Sequence, residues 1–216
     1  MLMFASGALF SQNHSYYNIS EKILNYGFSD LNQKIDDQYP AFDDYVFEIS
    51  FGKHYVSNKG VFGLNISYLL NNKHENNRNS MFYSYGLSSN LEFNLFRLKA
   101  IRFYSLIDIA MRKYNIVLSN TKTGGFSFSD ALNNQVDIYK FSNLGFYFDL
   151  GLGINHFFDL WVYKIGVGIS GGIRQNVGNT WKYEDVTDIA GRLVRTNGFF
   201  IGLNFYFNLN MIDEKS

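Results

Sequence analysis

From residue 43 onward, large apolar side chains recur at every second position. Tyr45, Phe47, Ile49 and Phe51 alternate with Val46, Glu48, Ser50 and Gly52; Phe62, Leu64, Ile66, Tyr68 and Leu70 alternate with Gly63, Asn65, Ser67 and Leu69. The same period returns over residues 83–95, 102–112, 144–155, 161–174 and 199–209. Successive side chains of a strand point to opposite faces, so this period predicts seven β-strands. Each is long enough to cross a bilayer at a tilt.

The gaps alternate as well. Residues 56–60, 96–100 and 156–160 read as short turns, whereas 71–79, 115–139 and 175–198 read as longer polar loops. Strands joined this way run up and down, with tight turns at one end and long loops at the other. Closed single-chain barrels of this kind have even strand numbers, so an eighth strand is expected from about Ser15 to Phe28. Its alternation is poor, with Glu21 and Lys22 adjacent. "DLNQKIDDQYPAF" would follow as the first outer loop, with Asp30 placed to cap a short helix.

Which face meets oil follows from charge. One face of the seven segments carries no charged residue, and the other carries Gly, Ser, Asn and eight charges. Such a sparse polar face makes a poor solvent exterior and a good narrow lumen. The apolar face exceeds what an eight-stranded interior can hold. The expected fold is therefore all-β: a transmembrane up-and-down antiparallel β-barrel of eight strands over residues 13–211. The lumen charges are Glu48, Glu92, Asp108 and Asp149 against Arg102, Arg112, Lys164 and Arg174. Confined together, they are expected to pair into a network that fills the barrel.

Composition agrees with this picture. The 216 residues include 22 Phe and 16 Tyr but only one Pro, which suits extended pairing. Mean hydropathy is −0.14, as an alternating chain allows. Lys plus Arg and Asp plus Glu each number 19, so no net charge steers nucleic acid. There is no cysteine, which excludes disulfides and thiol chemistry. Residues 1–12, "MLMFASGALFSQ", read as the end of a secretory signal peptide in a style common in Bacteroidota, and 212–216 as a periplasmic tail.

Seven alternating segments, the alternation of turns and loops and a strand-like C-terminal stretch together resemble the small eight-stranded outer-membrane barrels of the OmpA-domain and OmpX type. The resemblance is one of pattern. It implies an outer-membrane location, the lipid bilayer as surroundings and the barrel-assembly machinery as a partner. Members of that group end at a terminal aromatic; here, in "LNFYFNLNMIDEKS", Phe207 is followed by a polar-ended tail.

Candidate chemistry is sparse. Gly166, Gly168 and Gly171 in "IGVGISGG" spell a dinucleotide fingerprint, but alternation runs straight through it and no helix pattern follows. His14, His54, His74 and His156 lack metal-ligand spacing. His54 reads as a polar rim residue; it shares a face with Ser50 about 13 Å away, too far for direct activation. No catalytic, cofactor or metal site is expected. The long loops remain, with Phe126, Phe128, Trp181 and Tyr183 as candidate contacts for a surface or periplasmic protein partner. Two readings stay open: a non-enzymatic barrel acting through its loops, or a small transport, ligand-binding or lipid-modifying barrel acting through its lumen or rim. A soluble lipocalin-like carrier is a weaker third.

Overall fold

The computed structural model describes residues 14–35, 38–57, 59–120, 137–160, 163–177, 180–184, 187–189 and 193–207. In chain order these form β1 (His14–Asn25), α1 (Ser29–Ile35), β2 (Tyr45–Val56), β3 (Gly60–Glu75), β4 (Arg78–Leu98), β5 (Ile101–Asn120), β6 (Asp137–Leu160), β7 (Tyr163–Val177), β8 (Trp181–Tyr183), β9 (Thr187–Ile189) and β10 (Gly198–Phe207). β1 to β7 and β10 close into a ring, each pairing antiparallel with its neighbours. The β1–β10 register, Tyr17 against Phe207 through Leu24 against Phe200, seals the seam. Closure leaves no unpaired edge, the condition for a sheet to stand in lipid.

The face assignment follows the alternation. Leu87, Leu152, Phe199 and Ile201 are 60–72% exposed, and the outward positions of every ring strand are dominated by such side chains. An exposed apolar belt of that extent is incompatible with water and fits hydrocarbon. Inward positions of the same strands are buried, and Glu48, Arg112, Asp149 and Arg174 are among them. The eight-stranded, membrane-facing barrel expected from the period of two is the observed fold.

The strands are longer than the alternation implied. The stretch 71–79 is no loop: β3 and β4 run on to a two-residue turn at Asn76 and Asn77. Both have positive φ, 47° and 64°, the conformation that asparagine tolerates and that matches the twist of a tight hairpin. β4, β5 and β6 reach 21, 20 and 24 residues, against 12 for β1 and β2, so one wall rises well beyond the belt. The segment 175–198 likewise holds structure, with β8 paired to the top of β6 and β9 to β8.

The first outer connection contains the expected short helix, with Asp30 in its first turn, where its carboxylate meets the positive helix end. This connection folds inward over the mouth. Leu31 and Ile35 of α1, with Phe28 and Phe42, are buried among inward-facing side chains of the upper barrel. The Asn32 side chain grips the returning segment at Phe42, donating to its carbonyl (3.0 Å) and accepting from its N–H (2.9 Å). Reciprocal Gly27–Arg195 backbone bonds of 2.8 and 2.9 Å strap the connection to the approach to β10.

Inward glycines make room for bulk. A Cβ at Gly153 would collide with the hydroxyl end of the Tyr104 ring, which fills the lumen from β5 beside it. Gly153→Val should therefore abolish folding into the heat-modifiable form on gels, and Tyr104→Ala in the same chain should restore it. Failure of the second change to rescue would assign the cost to the strand backbone instead.

Candidate functional site

The lumen is filled at three levels, each set by which residues the inward face supplies. At the middle level Arg174 of β7 is the hub. It forms a two-pronged pair with Asp149 across the β6–β7 register, Nε to Oδ1 and Nη2 to Oδ2, both 2.7 Å. Its Nη1 reaches across the barrel to Glu48 Oε2 (2.7 Å) and the Tyr26 hydroxyl (3.1 Å). The guanidinium lies 3.9 Å from the Tyr147 ring centroid. Arg112 meets the same Glu48 oxygen at 2.7 Å and donates to Ser67 and Ser84 at 2.5 and 3.1 Å. Asp108, directly opposite Asp149 in the β5–β6 register, is held beside it by a cation between them.

That cation is Lys22. Its ammonium stands 2.8 Å from Asp149 Oδ2 and 3.3 Å from Asp108 Oδ2, over the Phe200 ring. Alternation alone assigns the fourth lumen base to Lys164, whose backbone lies in β7 but whose side chain is outside the described residues. The signal for Lys22 is the phase of β1: the inward series Tyr16, Asn18, Ser20, Lys22, Leu24 is buried throughout. Three cations thus face three carboxylates at this level, and mutual pairing offsets their desolvation.

The lower level lies toward the short turns. Arg102 pairs with Glu92 and also donates to Asn94 and Asn155, both at 3.3 Å. It stacks 4.6 Å from the Tyr104 ring. Beside it, His54 Nε2 and Asn65 Oδ1 are 2.9 Å apart, and the His54 ring packs on Tyr16 and Tyr206. Expected at the rim, His54 is 3% exposed and belongs to this packed layer. Ser50 does not approach it, because its hydroxyl is 2.5 Å from that of Ser20. Phe157, next to a short turn where an interface girdle would stand, points inward onto Tyr16 and Tyr206 instead, while its neighbour Phe158 remains exposed.

The upper level is apolar. Phe28 packs on Phe42 and Phe82, with ring centroids 5.1 and 5.0 Å away, and Phe82 stacks on Tyr114 at 5.9 Å. Trp181 of β8 is 1% exposed within this cluster. As a loop contact it is therefore corrected: its ring anchors the β8–β9 hairpin and is not offered to a partner. Tyr183 is half-buried against Phe141, 5.5 Å away, and keeps part of its ring at the surface. Phe126 and Phe128 lie outside the described residues.

The site is thus a polar, charge-balanced middle between an aromatic floor and an apolar lid. Among the described residues no group of three His, Cys, Asp or Glu side chains could hold a metal ion. A closed antiparallel barrel with an apolar belt and a polar interior is the architecture of an outer-membrane barrel.

No family model matches the chain, and no curated protein matches it in sequence. Among solved structures, it is similar to Neisserial surface protein A, with 11% identity and a TM-score of 0.46, covering 92% of this chain and 98% of that one. It is also similar to Ail, the attachment invasion locus protein of Yersinia pestis, solved with the heparin analogue sucrose octasulfate: 11% identity, TM-score 0.44, 89% and 97% covered. A major outer membrane protein from Thermus thermophilus gives 8% identity and a TM-score of 0.43 over 90% of this chain and all of that one. At this level the likeness is one of overall barrel shape.

Proposed function

We propose that this protein is a sealed, non-enzymatic outer-membrane barrel that holds a rigid protein surface above the membrane for contact with a partner. The observation that carries the reading is the filled lumen. The middle level leaves its charges paired with one another, and α1 with its flanking residues closes the outer mouth over them. An eight-stranded barrel filled by side chains has no water path.

The surface part of the reading rests on the raised wall. Above the belt β4, β5 and β6 continue as paired strands, and β8–β9 extends that sheet beyond β6. Tyr183, half-exposed and backed by Phe141, and the exposed Tyr139 of β6 are aromatics on this wall. A strand-built platform is pre-organised, which lowers the ordering cost of binding.

Planar-bilayer recordings test the seal. The purified protein should insert without producing conductance steps, and a variant lacking α1 should also stay silent, because the charged middle still blocks the lumen. Regular single-channel steps from the intact protein would favour the competing reading, a transport barrel using its lumen.

A further inference from the structure

The outward face of β1 carries a residue that neither the lumen nor the platform uses. Glu21 points away from the barrel and is exposed. Along its strand it is flanked by Ile19 and Ile23, and across the register by Ile49 of β2 and Leu203 of β10, all of them exposed. The diagonal neighbours Phe51 and Ile201 are exposed and apolar too. A carboxylate inside that belt faces hydrocarbon, where ionisable groups are costly and are retained against a partner. The cation next to it in sequence, Lys22, is turned inward and committed to Asp149 and Asp108.

The adjacent strand supplies an outward-facing base. Lys53 opposes Tyr17 in the β1–β2 register, four positions nearer the periplasmic turn than Ile49. Its ammonium lies over the Tyr55 ring, 5.5 Å from the centroid. Four strand positions span roughly 13 Å, so Glu21 and Lys53 of one chain stand too far apart to pair.

We propose that the β1–β2 face is the interface of a two-fold dimer, in which Glu21 of each copy pairs with Lys53 of the partner subunit. A two-fold axis along the membrane normal keeps every residue at its own depth and makes the contact reciprocal. With strands tilted roughly 40°, Lys53 sits only about 7 Å nearer the periplasm than Glu21, a difference the two long side chains span. An axis near the register pair Ile19 and Phe51 sets β1 of one copy against β2 of the other. Beside it the Tyr17 ring stacks on Phe51 and Phe207, at 5.8 and 5.9 Å, and gives the face a flat, packable surface. In lipid, such packing and polar pairing drive association where hydrophobic burial cannot.

The chain has no cysteine, so Ile19→Cys places a single thiol near the proposed axis. After oxidation in reconstituted vesicles this variant should run as a disulfide-linked dimer, while Leu152→Cys on the opposite wall should remain monomeric. By sedimentation in detergent, Glu21→Lys and Lys53→Glu should each weaken self-association about tenfold or more. The exchanged pair, Glu21→Lys with Lys53→Glu, should restore it. Retained heat-modifiable migration in every variant separates lost dimerisation from lost folding. No preferential cross-link at Ile19→Cys, no rescue by the exchange, or a cross-link to a different membrane protein in native membranes would each overturn the proposal.

Discussion

Replacing Arg174 with methionine is expected to lower the unfolding free energy in lipid vesicles by about 3–5 kcal/mol. The side chain is fully buried and satisfies Asp149 through two bonds and Glu48 through two more, at 2.7 and 3.4 Å. Methionine fills most of the volume but leaves three carboxylates, Glu48, Asp108 and Asp149, facing the two remaining cations, Lys22 and Arg112, so the loss is that of uncompensated buried charge. Arg174→Lys should recover only part of it, since an ammonium cannot match the two-pronged geometry or the flat stack on Tyr147. The contrast is Lys73 with Asp43 on the outer surface, where the side chains are 37% and 60% exposed. Lys73→Ala should shift stability by less than about 1 kcal/mol. Urea titrations followed by tryptophan fluorescence would measure all three. A loss from Arg174→Met no larger than that from Lys73→Ala would show the lumen to be hydrated and the network dispensable.

Phe28→Ala is expected to act locally. Phe28 is fully buried between Phe42 and Phe82, and truncation of such a ring costs about 3–5 kcal/mol where the site cannot collapse. The barrel ladder does not depend on it, so that cost should fall on the docking of the 26–44 connection. Protease added outside intact cells should then cut within residues 26–44, while the barrel keeps its heat-modifiable migration. Unchanged resistance would mean that the Asn32–Phe42 and Gly27–Arg195 hydrogen bonds hold the lid without the aromatic packing.

What the sequence revealed and what it hid have physical reasons. Inside the bilayer the outer face must be apolar and the narrow inner face small or polar, so β2 to β7 and β10 announce themselves by alternation. Above the bilayer the phase inverts. In β5 the inward residues become Tyr114, Ile116 and Leu118 against the lid, while the outward ones become Lys113, Asn115, Val117 and Ser119, three of the four polar. An unchanging rule of apolar outside therefore ends β3, β4, β5 and β6 too early and turns their upper ends into loop. β1 is obscured twice, by Glu21 on the lipid face and by Leu24 beneath the lid. Lys22 is lost with it, although its charge completes the balance that the other lumen residues imply. Trp181 looks like a contact residue because its loop is polar, and only the tertiary fold turns that ring inward. The glycines of "IGVGISGG" are legible as strand glycines, and Gly166 and Gly168 face the lumen between β6 and β10.

Thiol accessibility tests at once that the outer wall of the barrel meets lipid and that its interior excludes water. Ser84 and Ser88 of β4 face inward and are buried, whereas Tyr85 and Leu87 between them face outward and are half or more exposed. In vesicles, single Ser84→Cys and Ser88→Cys chains should resist both a small water-soluble thiol reagent and a lipid-soluble maleimide. Tyr85→Cys and Leu87→Cys should react with the lipid-soluble reagent alone. Labelling of Ser84→Cys and Ser88→Cys from water would contradict the sealed lumen, and labelling of Leu87→Cys from water would contradict the membrane-facing wall.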